Sequence, residues 1–331
     1  MNVNKNLLNK VGFDRLEFNI NFNDVDFSKY EHIKNTKMGT SSIDVSEYVD
    51  NKQFRYRLYN GRKNGEDILH LDVVLPRVFH DTNHNIYNVA AKNDTKTALN
   101  TVLSSIKAQG IDIPLKSLIC TSMEINKTVL LEEDTSLYYD IFHYLLNGIC
   151  SINNQEGGLT AIKVVDKKRK KYKLYDKKEE LHNTIKLQVE EELCRFEITL
   201  TGSESISRTF ATTNILDIRQ AQLNKFYKKV VTELEEELEA NVTRDSEALY
   251  NSFVEQNCKT LAELRETYQE MDDDKKIIFR EIVSNAVNKY RADYSKNSET
   301  VTKIIGSKSK HKKNNYKRAK KLLKKLKKWE V

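Results

Sequence analysis

Proline is nearly missing from this 331-residue chain: only Pro76 and Pro114 occur, alongside ten glycines. That excludes collagen-like and linker-dominated architectures. The four cysteines, Cys120, Cys150, Cys194 and Cys258, form no Cys-x-x-Cys pair. Zinc ribbons and disulfide frameworks are therefore not expected, and reduced thiols are. No stretch approaches the roughly 18 apolar residues of a membrane span. The opening MNVNKNLLNKVGF has no apolar core of a secretory signal. These absences lead to the expectation of a soluble, cytoplasmic protein that does not engage a membrane. The phosphate-cradling pattern GxxxxGK[ST] is also absent, so nucleotide-driven motor chemistry is not expected of the chain itself.

What is present suffices for a core: 39% of residues are apolar and 31% charged, over a length that suggests about two domains. The net charge of +7 is unevenly spread. Residues 306–331 hold twelve Lys+Arg against one acid, Glu330, which makes +11; the other 305 residues sum to −4. A field so concentrated points to nucleic acid or to an anionic membrane surface.

Residues 1–205 read mainly as strands. FDRLEFNINF (13–22) alternates, with Phe13, Arg15, Phe18, Ile20 and Phe22 expected on one side. Residues 54–75 give two strands with turn chemistry at Asn60-Gly61 and Asn64-Gly65, ended by Pro76. A helix is expected over 94–109, closed by Gly110, and an apolar-rich one over 136–149. Strands are expected over 117–131, 159–165, 171–177 and 193–202, with Gly157-Gly158 opening a hairpin. The fold class is therefore α+β with a largely antiparallel sheet and inserted helices. Residues 206–295 read as an all-helical domain, with helices over 214–242, 245–257, 260–271 and 273–294.

Residues 296–331 read as a basic tail resembling a helix-turn-helix: a short helix over 297–305, the turn GSKSK, and a helix over 313–329. Leu322, Leu323, Leu326 and Trp329 form its apolar stripe, and Lys312, Lys313, Lys317, Arg318, Lys320 and Lys321 are candidate phosphate contacts. Such a helix also suits an anionic membrane, or could be an unanchored tail. A second basic run, Lys167, Lys168, Arg169, Lys170 and Lys171, favours nucleic acid.

Acids stand among apolar neighbours in four strand segments: Asp14, Asp72 beside His70, Glu124 and Glu197. Grouped carboxylates in one sheet are costly unless a cation neutralises them, and hard oxygen donors suit Mg²⁺ or Mn²⁺. Tyr172 and Tyr175 stand three apart inside the basic interior segment, hence on opposite faces of a strand. A tyrosine near lysines and a divalent cation can attack a phosphate; a tyrosine in a strand can equally be packing.

The order FDRLEF (13–18), VLPRVFHDTNHNIYNV (74–89), SMEINKT (122–128), KLYDKKEEL (173–181) and RFEITL (195–200) resembles the phage and plasmid replication initiators of the filamentous-phage gene II type. It is similar, more distantly, to rolling-circle plasmid initiators. The likeness covers roughly residues 10–205. It implies a nicking domain in which Tyr175, within a Lys-x-Tyr-x-Lys motif, attacks DNA, with Lys177 as its basic companion. Tyr172 is the other candidate nucleophile. Glu197 matches the acid of the family's last strand and Glu124 that of an earlier Arg-x-Asp-type strand, although Glu replaces Asp and Met123 replaces the usual neighbour. Pro76, Arg77 and Asn85 resemble the family's Lys-and-Asn loop. The His-hydrophobe-His metal motif of related nickases is missing; His70-Leu71-Asp72 is its nearest analogue, and no family residue maps onto Asp14. Implied partners are an origin duplex, its single strand, and a host helicase and polymerase. The rival expectations are a non-enzymatic DNA-binding copy-number regulator and a conjugative relaxase.

Overall fold

The computed structural model describes residues 3–28, 56–63, 66–82, 84–146, 159–166, 169–255 and 315–328, with short pieces at 34–35, 41–42, 44–46, 150–152, 285–286 and 289. The expected Gly157-Gly158 turn, the helices over 260–271 and 273–294, and the helix-turn pair over 297–312 lie outside or almost entirely outside these residues.

Eleven strands are described: β1 (Gly12–Asn21), β2 (Lys34–Asn35), β3 (Ser41–Ser42), β4 (Asp44–Ser46), β5 (Tyr56–Lys63), β6 (Glu66–Val74), β7 (Ile119–Leu130), β8 (Cys150–Ile152), β9 (Leu159–Val165), β10 (Lys170–Asp176) and β11 (Leu193–Thr201). Nine of them form one sheet in the order β4-β5-β6-β1-β7-β11-β10-β9-β8, every neighbour antiparallel; β2 and β3 pair separately. The helices are α1 (Leu75–Phe79), α2 (Asn93–Ala108), α3 (Tyr139–Leu146), α4 (Lys177–Ile185), α5 (Ser203–Phe210), α6 (Gln220–Glu255) and α7 (Asn315–Lys327). The fold is α+β, as the alternation of apolar residues implies. No helix among the described residues is long and apolar enough to cross a membrane.

The strands show why one face is dry and the other polar. On β11, Cys194, Phe196, Ile198 and Leu200 point to the core, while Arg195, Glu197 and Thr199 alternate to the other side. On β1 the pairing with β7 slips between Phe13 and Leu16. This bulge puts Phe13, Leu16, Phe18 and Ile20 into the core together. Arg15 is therefore not on the side of Phe13; it binds Asp72 through two bonds of 2.7 and 2.5 Å on the polar face. A second correction concerns β5: Asn60 and Gly61 sit within the strand, paired with Leu69 and Ile68, and the strand runs on to Lys63, which pairs with Glu66.

The boundary expected near residue 205 has no counterpart in the packing. Leu223, Tyr227, Val230 and Leu234 of α6 share one apolar core with the sheet. The break expected at 243–244 is also absent, and α6 runs unbroken for 36 residues. TRDSEAL contains neither Gly nor Pro, so a cap-like Asp245 does not stop it.

Helix α7 corrects the reading of a basic tail. It packs on α6, α3 and β7, with Ala319, Leu322, Leu323 and Leu326 buried. Five of its cations face acids: Arg318 bonds Glu133 (2.7 and 2.8 Å), Lys321 and Lys325 meet Glu132, Lys320 meets Glu235 and Glu239, and Lys327 meets Glu235. The fully buried Lys127 of β7 donates to the carbonyls of Lys325 (2.9 Å), Leu326 (3.2 Å) and Lys328, capping the C-terminus of α7. Lys127→Met is expected to cost about 1.5–3 kcal/mol, the scale of charged hydrogen bonds. Thermal melts and amide exchange should show residues 315–327 losing protection first; unchanged protection there would refute the capping role.

Candidate functional site

The site grows from a strand that turns into a helix. Along β10, Lys171, Lys173 and Tyr175 face the polar side, and Lys170, Tyr172 and Leu174 face the helices. Asp176 then caps α4: its carboxylate accepts the Glu179 N–H at 2.9 Å, so Lys177 opens a helix rather than extending the strand. One end of the polar face is roofed by residues 3–8, the segment 84–89 and α4, held by a small cluster that includes Val3, Ile86, Tyr87, Leu181 and Leu193. Gly12 permits this close approach: a Cβ there would stand 2.6 Å from the Val89 carbonyl.

Under the roof lies a connected set of charges. The Tyr175 hydroxyl donates to Glu197 Oε1 at 2.6 Å. Glu197 also meets Lys173 at 3.4 Å and Arg195 at 3.9 Å. Arg195, fully buried, donates to Asp14 Oδ2 (2.9 Å), Thr128 Oγ1 (2.8 Å) and the carbonyls of Asn85 and Ile86. Asp14 further accepts from Asn85 Nδ2 (3.2 Å) and Asn126 Nδ2 (3.0 Å). Lys177, also fully buried, donates to Asn85 Oδ1 (2.7 Å) and Glu180 Oε2 (2.6 Å), and its Nζ lies 5.9 Å from the Tyr175 ring centre.

Burial raises the Tyr175 phenol well above its ordinary value, and the Glu197 charge adds to that. Burial would raise Glu197 too, but Lys173 and Arg195 outweigh it and leave the carboxyl below its usual range. Burial lowers Lys177, and the repulsion of Arg195 deepens the shift. The arrangement sets a phenolic proton against an ionised acceptor, beside three cations that can stabilise negative charge on oxygen.

Burial, followed by the charge of Glu197, pushes Glu124 up to about 7. Between its ordinary 4.5 and that value the folded chain keeps a proton that the unfolded chain has released. Glu124 therefore contributes stability at low pH that declines as pH rises through this window. Relative to Glu124→Gln, the half-buried wild-type residue is expected to lose about 1–2 kcal/mol between pH 5 and pH 8. Urea unfolding of both proteins at both pH values measures it; parallel behaviour would refute the shift.

The candidates taken from the sequence are not all brought together. Tyr175, Lys177, Glu197 and Glu124 share the site. Tyr172 is on the opposite face, its ring 5.9 Å from Phe196 and its hydroxyl in the field of Glu233 and Glu237 of α6. Asp72 is held by Arg15, and His70 stacks on Tyr59 at 5.1 Å. The strand registers put Asp72 roughly 15–20 Å from Glu197, so the expected four-ligand group does not converge. Among the described residues no three His, Cys, Asp or Glu side chains gather as a metal group. Arg77 is half-buried, in the field of Asp14 and Glu180, and so faces inward. Lys171 shares the polar face, Lys170 faces the helices, and Arg169 pairs with Glu204 at 3.3 Å. Lys167, Lys168, Lys312 and Lys313 lie outside the described residues, and Lys317 is exposed on α7.

Sequence reasoning missed Asn126 and the central place of Asp14, and gave Arg195 no role although it stands two residues before Glu197 on the same face; Lys173, the first lysine of the Lys-x-Tyr-x-Lys motif, is where the tyrosine needs a cation. No protein-family model matches the chain, and no curated protein matches it either.

Proposed function

We propose that the protein is a rolling-circle replication initiator that nicks one DNA strand through Tyr175. The observation that carries this is the 2.6 Å contact between the Tyr175 hydroxyl and an ionised Glu197, flanked by Lys173, Arg195 and Lys177. Glu197 takes the phenolic proton as the tyrosine oxygen attacks phosphorus. The bond from phosphorus to the 3′ oxygen breaks, and that oxygen leaves and is protonated as a 3′-hydroxyl. The 5′ phosphate stays on Tyr175, which conserves the bond for rejoining. Arg195 and Lys177 hold the surrounding groups in place, and Lys173 lies beside the developing charge.

A divalent cation belongs to this reading. Glu124 and Glu197 suit it as oxygen donors, because they lie close enough that the charge of Glu197 adds to burial in raising Glu124; Asp72 and His70 do not, being otherwise engaged. When bound, such an ion neutralises charge on the phosphoryl oxygens. Origin DNA, a host helicase and a polymerase, in the cytoplasm of a bacterial host, complete the proposal.

The test uses supercoiled DNA carrying the gene's own flanking region, with Mn²⁺ or chelator. Nicked circles bearing protein on a 5′ end are expected only with metal. Binding without any nick would reject the enzyme in favour of a DNA-binding copy-number regulator, a reading that the burial of Tyr175 favours. A relaxase shares the chemistry but has no further observation in its favour.

A further inference from the structure

At the end of β10 away from Tyr175, Asp166, Arg169 and Lys170, together with α5 and α6, enclose a solvent-open groove of about 770 Å³. Lys170 points into the helical layer, so the groove opens on the other side of the sheet from the Tyr175 hydroxyl. Five residues of strand separate the two, roughly 17 Å along β10.

Five cations line the groove: Arg169, Lys170, Arg208, Lys225 and Lys229. Against them stand Asp166 and Glu233 in the lining, and Glu233 makes only a loose 3.8 Å contact with Lys229. Glu204, beside the groove, pairs with both arginines, at 2.5 Å to Arg208 and 3.3 Å to Arg169, and so holds the two guanidinium groups near each other. Its carboxylate is exposed and exchangeable. Phe226 supplies an aromatic floor, edge-on to Phe210 at 5.3 Å and 5.9 Å from Lys170 Nζ. Ser205, Thr209 and Gln222 add polar groups.

The cations are spread rather than convergent. Lys225 and Lys229 lie one turn apart on α6, about 6 Å along its axis. One small anion would reach one or two of them, whereas successive phosphates of an extended strand can meet each in turn. The volume suits one or two nucleotides and is far too small for a duplex. Basic side chains around an aromatic ring are the makings of sequence-tolerant single-strand binding.

We propose that this groove binds a single-stranded polynucleotide through its phosphates. The inference does not rest on Tyr175 chemistry, since a protein that only binds DNA could use the same groove. The test is fluorescence anisotropy with a labelled oligothymidylate on the full chain. Lys225→Glu/Lys229→Glu is compared with Lys317→Glu/Lys324→Glu, the same charge change at exposed positions of α7. The groove variant should bind at least about tenfold more weakly, and its salt slope should fall by about 1.4, the loss of two single-strand contacts. Melting curves verify folding, and Lys225→Gln/Lys229→Gln should show the same trend with a smaller charge change. Equal weakening by the α7 variant would overturn the groove as the site. Competition by a free mononucleotide as strong as that of the oligomer would overturn the polynucleotide assignment, as would absence of single-strand binding by the wild type. Nicking by Tyr175 is read in a separate assay and survives or fails independently.

Discussion

Tyr175→Phe is expected to remove strand cleavage by several orders of magnitude, the scale seen when a covalent nucleophile is deleted. Tyr172→Phe should cut normally. The difference is geometric: the two phenols face opposite sides of β10, and Tyr175 is the one that donates to Glu197 between cations. Phe keeps the ring and loses only the hydroxyl, so folding should be preserved. Glu197→Gln should slow cleavage by about 10²–10⁴-fold, the usual worth of a positioned base. The pH profile separates two routes. If Glu197 accepts the proton, its depressed pKa keeps the base form populated at neutrality, and the rate falls only as acid protonates it. If the phenol must ionise first, burial has raised its pKa and the rate should climb steadily into alkali. Supercoiled-DNA nicking across pH distinguishes these routes. A Tyr175→Phe protein that still leaves a covalent 5′ link would sink the assignment.

Arg195→Met should be the most destabilising single change in the site, by about 3–5 kcal/mol. The substitution fills a similar volume, so the loss is electrical rather than a cavity. It strips donors from Asp14, Thr128 and the carbonyls of Asn85 and Ile86, all beneath the roof. An uncompensated buried carboxylate is the largest part of that cost. The thermal midpoint should drop by about 10 °C on the usual scaling for chains of this size. Asp14→Asn in the same background should recover part of the loss, because it removes the stranded charge. Calorimetry on the two single variants and the double variant gives the coupling directly. Additive losses would show that Asp14 and Arg195 act separately.

These two residues also mark the limit of what is legible in the sequence. Strands and their dry faces follow from alternation, and β7, β11 and α2 fall within two residues of the expected bounds. Tyr175, Lys177 and Glu197 stand out because short segments carry them. Asp14 and Arg195, 181 residues apart, meet only through the strand order β1-β7-β11, and pairing order leaves no local trace. Arg15 lies on the side opposite to the expected one because a bulge resets the alternation that the period-two rule assumes. For α7, composition announces the lysines but not their partners Glu132, Glu133, Glu235 and Glu239, so a docked helix reads as a free basic tail. Asp72 and His70 look like ligands beside Glu124 only until β1 is inserted between their strands.

Lys127 and α7 have a bearing on synthesis. Strand β7 carries a buried ammonium whose acceptors lie 198, 199 and 201 residues downstream. A nascent chain that has made every strand of the sheet therefore still lacks these three carbonyl acceptors, beside apolar surface that Leu322, Leu323 and Leu326 will cover. At about 5–20 residues per second, the stretch from β11 to α7 takes several seconds or more to translate. Throughout that delay the core lacks the cover that α7 supplies, so release of chain through α7 is the event that completes it.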